Sequence, residues 1–117
     1  MEKMNEKRST SRNKVWPETE AVIKYRDPIA SRPNTIEILK ENIANLGSRG
    51  MFIKTNEHLA LNTELDILID FNPGKSPGIS LKAEGVVLRA ENKGVAIQFT
   101  KINTQELGDC IMQKLDI

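Results

Sequence analysis

ELDILIDF, residues 64–71, sets Leu65, Ile67, Ile69 and Phe71 two positions apart with Asp66 and Asp70 between them. Successive side chains of a strand point to opposite faces, so this stretch reads as a half-buried strand with one apolar face and one acidic, solvated face. The same period runs through its neighbours. ETEAVIKY (18–25) carries the β-branched Thr19, Val22 and Ile23 with the aromatic Tyr25, and reads as a first strand. TIEIL (35–39) alternates Ile36 and Ile38 against Thr35 and Glu37, which predicts a half-buried second strand running toward Asn45. MFIKT (51–55) is a third.

Beyond the opening stretch, NPGKSPG supplies Pro73-Gly74, a pair suited to the centre of a type II turn, so the chain reverses there. ISLKAEGVVLRA (79–90) is a long strand in which Gly85 marks a bulge. ENKG turns again, and VAIQF (95–99) puts Val95, Ile97 and Phe99 on one face. The period then changes. Asn103 with Glu106 three places on makes a capping-box-like start, and Leu107, Ile111 and Leu115 recur every four residues, as on one face of a helix. The expected fold is all-β with a terminal helix: a six-stranded antiparallel β-barrel closed by a C-terminal α-helix. Two regions are expected, a flexible basic arm over residues 1–14 and a barrel domain over 15–117.

The chain of 117 residues carries 17 basic and 16 acidic side chains, a net charge of +1. This charge is unevenly placed: Lys3, Lys7, Arg8, Arg12 and Lys14 crowd the start against Glu2 and Glu6, which leaves a mildly acidic body. Such a segment fits a local anion site or a solvated tail better than a surface that coats nucleic acid. No apolar stretch resembles a signal peptide or a membrane span, so a cytoplasmic protein without membrane insertion is expected. Cys110 is the single cysteine, which excludes an internal disulfide and a thiolate metal cluster; it reads as a small core or near-core residue. The single histidine, His58, falls in the polar loop NEHLALNTE and reads as a surface residue. No catalytic constellation, metal site or cofactor site is expected, and binding or scaffolding is preferred to enzymatic work.

NLGSRG (45–50) is a glycine-bearing reversal that by itself reads first as a plain turn. Taken with RSTSR (8–12), which spaces Arg8 and Arg12 four apart, and with the terminal hairpin LKAEGVVLRAENKGVAIQFTKI, it resembles the PilZ domain family, bacterial receptors for cyclic di-GMP. That family has an Arg-x-x-x-Arg segment followed by Asp/Asn-x-Ser-x-x-Gly ahead of a barrel strand. Here the second motif becomes Asn-x-Gly-x-x-Gly: Gly47 stands in the serine slot, with Ser48 displaced by one residue.

The resemblance implies a ligand site made of Arg8, Arg12, Asn45, Gly47, Ser48 and Gly50. It implies binding of cyclic di-GMP, with the signal relayed to an unidentified protein partner as the arm becomes ordered. Trp16 would anchor the arm or stack on a base. Keeping the fold but losing the ligand through Gly47 gives a second expectation, an adaptor acting through protein contacts alone. A small barrel binding single-stranded nucleic acid is a third and weaker one: Phe71 and Phe99 sit on apolar faces, and base stacking needs several exposed aromatics. No DNA or RNA partner is therefore expected.

Overall fold

The computed structural model describes residues 18–26 and 35–115. Six strands follow in chain order: β1 (Glu20–Arg26), β2 (Ile36–Leu46), β3 (Gly50–Lys54), β4 (Glu64–Asp70), β5 (Ser80–Glu91) and β6 (Gly94–Lys101). A single described helix, α1 (Thr104–Leu115), follows them. Every pairing is antiparallel, and the spatial order β1-β2-β3-β6-β5-β4 closes on itself as a barrel. Closure abolishes most of the sheet edge and turns one face of each strand toward a common interior.

The interior is filled by alternate residues. Leu65, Ile67, Ile69 and Phe71 are all buried, as their spacing predicts, and they meet Ile23, Ile53, Val87, Val95, Ile97 and Phe99. Leu59, from the loop after β3, joins the same cluster. Thr19 is buried, and Tyr25 packs half-buried against the core. Asp66 faces solvent and Asp70 is half-exposed.

Three one-residue irregularities interrupt the ladders. Ala44 is the extra residue where the β2–β3 register passes from Ile43↔Ile53 to Asn45↔Phe52. Leu88 is extra where β5–β6 passes from Val87↔Ile97 to Arg89↔Ala96. The third lies beside Gly85, at the expected place, but the additional residue belongs to the partner strand: Glu84 pairs with Lys101 and Gly85 with Phe99, leaving Thr100 unmatched. A Cβ on Gly85 would sit 2.5 Å from the carbonyl oxygen of Gln98, so the close approach of β6 requires glycine there.

Turn and cap chemistry follow expectation. Lys75 donates its N–H to the Asn72 carbonyl at 3.1 Å across Pro73-Gly74, and Gly74 has φ +79°, the value the third position of a type II turn demands. Asn103 Oδ1 accepts the N–H of Glu106 at 2.9 Å, capping α1.

Two expectations are corrected. Ile36 and Ile38 do not form the buried face of β2: they are 52% and 65% exposed, while Leu39 and Ile43, in the opposite phase, face the core. The α1 stripe is buried only at its start. Leu107 is buried, Ile111 is partly covered and Leu115 is 57% exposed. A four-residue spacing advances about 40° beyond a full turn at each step, so the stripe rotates off the barrel. The far end is held instead by Lys114, whose Nζ donates to the Phe71 carbonyl at 2.6 Å.

Phe71 fills the barrel with no exposed surface. Its replacement by alanine should destabilise the fold by about 3–5 kcal/mol, read from urea unfolding midpoints at unchanged slope.

Candidate functional site

The two bulges at Ala44 and Leu88 decide which side chains reach the outer face of the sheet. An extra residue in one strand reverses its in–out phase. Ile43 points inward, and without Ala44 the residue two places on would do the same; with it, Asn45 turns outward and Leu46 is returned to the core. Leu88 acts likewise in β5, so that Val87 stays in the core and Arg89 comes out.

The result is one lateral row across four strands: Asn45 on β2 opposite Phe52 on β3, Phe52 opposite Ala96 on β6, and Ala96 opposite Arg89 on β5. A carboxamide stands at one end and a guanidinium at the other, with an aromatic ring and a methyl group between. Alongside runs a second row, Gly50 opposite Gln98 opposite Val86. The first row, with Gly50 and Gln98 of the second and with Gly47, Ser48 and Arg49 at the hairpin tip, lines an open groove of about 610 Å³.

Its floor is tightly built. A Cβ on Gly50 would fall 2.2 Å from the Ile97 carbonyl oxygen, and one on Gly94 would strike the Phe52 ring at 2.5 Å, so the ring lies directly over Gly94. Ala96 is thereby buried although it faces outward. The hairpin is closed by the Gly47 N–H on the Gly50 carbonyl at 2.9 Å, and the Phe99 N–H meets the Arg49 carbonyl at 2.8 Å.

The structure thus brings Asn45, Gly47, Ser48 and Gly50 together on one groove. Arg8 and Arg12, with Trp16, lie outside the described residues. Arg89 is the polar residue that sequence reasoning missed. Its Nε donates to Glu91 Oε2 at 2.6 Å, but both side chains are well exposed, and such a pair holds a guanidinium only weakly. Arg49, exposed at the tip, adds a second positive charge.

Other reactive groups lie elsewhere. Cys110 sits against the barrel, with its Sγ 3.8 Å from the Ser80 carbonyl, and its pKa is raised by burial first and by the negative charges of Glu106 and Asp109 next. A thiol pushed upward is a poor nucleophile near neutral pH. His58 is exposed, as expected. Among the described residues no helix is long and apolar enough to cross a membrane. Compared with known proteins, the chain matches no family model and no curated sequence.

The two motif glycines differ in what they tolerate. Nothing lies within 4 Å of a Cβ built on Gly47, and its φ is not in the left-handed region. Gly47→Ala should therefore change stability by no more than about 0.5 kcal/mol, whereas Gly50→Ala should cost about 1–3 kcal/mol through the clash with β6. Thermal melts of the two variants, compared with the parent, check the contrast.

Proposed function

We propose that this chain is a non-catalytic receptor for cyclic di-GMP, relaying the signal to a protein partner as its N-terminal arm closes over the ligand. The observation that carries the reading is the cross-strand row from Asn45 to Arg89, laid over the glycine-floored groove beside the Asn-x-Gly-x-x-Gly turn. The ligand's chemistry suits it. Guanine presents O6 and N7 as adjacent acceptors that an arginine fork meets with two parallel bonds, and arginine also binds phosphate and stacks on flat rings. Asn45 offers an amide to a guanine edge, the Phe52–Ala96 floor offers a flat apolar bed, and Gly50 keeps the backbone low. Arg8 and Arg12 would come down from the arm onto phosphate and base, an ordering step that a partner can sense.

A second reading is favoured by Gly47. The serine slot lacks its hydroxyl and faces open space, so an adaptor that has lost the ligand and works through protein contacts keeps the same barrel. Single-stranded nucleic acid is disfavoured because Phe71 and Phe99 are buried, leaving Phe52 as the one half-exposed phenylalanine in the described residues.

Calorimetric titration with cyclic di-GMP, cyclic di-AMP and an oligonucleotide separates these readings. Binding of cyclic di-GMP is expected, and Arg8→Ala, Arg12→Ala or Arg89→Ala should each weaken it by about 1.5–3 kcal/mol, roughly ten- to more than a hundred-fold, with the melting curve preserved. Gly47→Ser should tighten it a few-fold to about ten-fold, because one neutral hydrogen bond contributes about 0.5–1.5 kcal/mol. Should neither the parent nor the folded serine variant bind a cyclic dinucleotide, the adaptor reading replaces the receptor.

A further inference from the structure

β2 is longer than the strands that flank it. Its residues from Ile36 to Asn42 pair with β1 on one side, whereas pairing with β3 on the other begins only at Ile43. Among the described residues the first half of β2 therefore overhangs, and no backbone group of theirs bonds its outer edge.

The phase of the overhang is fixed. The Ile43 N–H bonds the Thr19 carbonyl at 2.9 Å, and the β1–β2 register then runs without a shift. Odd-numbered residues of β2 thus direct their N–H and C=O groups to β1, and the even-numbered Ile36, Ile38 and Lys40 direct theirs to the open side. These same residues turn their side chains outward, with Ile36 and Ile38 largely exposed. Exposed edges are ordinarily blunted by charge, proline or a bulge. Here Lys40, the charge on this edge, is engaged by Glu20 of β1 at 3.6 Å, and the isoleucines leave the rest unprotected.

We propose that this edge pairs with the same edge of a second copy of the chain, in an antiparallel β2–β2 contact whose two-fold axis passes at Ile38. That register is self-complementary. It sets Ile38 opposite Ile38 of the second copy and Ile36 opposite Lys40, so every residue that offers free backbone groups meets another that does. Ile36 is covered by the aliphatic stem of the opposite Lys40. The two lysines stand four residues apart along the seam, about 13 Å, where their repulsion is largely screened. The seam is short, so the dimer is weak and concentration-dependent. It leaves the Asn45–Arg89 groove open, and it does not depend on any ligand.

Sedimentation equilibrium of the full chain without nucleotide, from low-micromolar to sub-millimolar concentrations, tests the proposal. The parent should form a reversible dimer. Ile38→Pro removes only an N–H that points to the open side and leaves the β1 ladder intact, and Ile38→Lys places a charge on the axis. Each should raise the dimer dissociation constant roughly ten-fold or more with a barrel-like circular dichroism spectrum retained. Leu115→Lys, on the exposed face of α1, should leave it unchanged. The proposal is overturned if the parent is monomeric throughout, if Ile38→Lys dimerises like the parent, or if Leu115→Lys abolishes association. Should Ile38→Pro fail to fold, the lysine variant decides.

Discussion

The alternation of side chains along each strand, closed into a ring, is the constraint on which the rest of this molecule depends. In an open sheet a phase error can run off the edge. In a barrel each strand is held by two neighbours, so its in–out phase changes only where a residue is inserted. Ala44, Leu88 and Thr100 are those insertions. Each resolves a conflict between core and polar demands. Asn45 and Leu46 cannot both be accommodated by unbroken alternation from Ile43, because that phase would bury a carboxamide, at a cost of a few kcal/mol, and expose a leucine. Leu88 does the same for Arg89, and Thr100 brings Lys101 out opposite Glu84.

The groove on the outer face is a by-product of these same insertions. Bulges tighten twist and re-aim side chains, and here a pair of them brackets the β3–β6 ladder, whose close approach is set by Gly50 and Gly94. The Phe52 ring lies over Gly94 because no Cβ intervenes. An apolar strip with polar ends follows from backbone geometry.

The strands were legible where apolar residues kept one phase long enough to be counted, as in residues 64–71 and 95–99, and the Pro73-Gly74 turn and the Asn103 cap were legible from local chemistry. TIEIL misled because it is too short to fix its own phase. Ile36 and Ile38 occupy one face and Leu39 the other, and the decision comes from Ile43 beyond the window. Ala44 and Leu88 carry no compositional mark of a bulge, so the outward turn of Arg89 and its place in a row with Asn45 could not be seen without the strand order. Asn45, Gly47, Ser48 and Gly50 fall on one groove because they are near neighbours in the chain. The terminal stripe was overread, since a four-residue repeat drifts around a helix and α1 meets the barrel chiefly through its first turns.

β2 joins the two surfaces proposed here. It has 11 residues against 5 in β3, so one end must either overhang or be covered by other chain. The half that pairs with β3 ends at Asn45 and the groove, and the half beyond β3 carries the exposed isoleucines. Between them lies Ile43, buried and bonded to Thr19 just ahead of β1. The groove and the overhanging edge thus belong to one strand, divided at the residue that bonds Thr19.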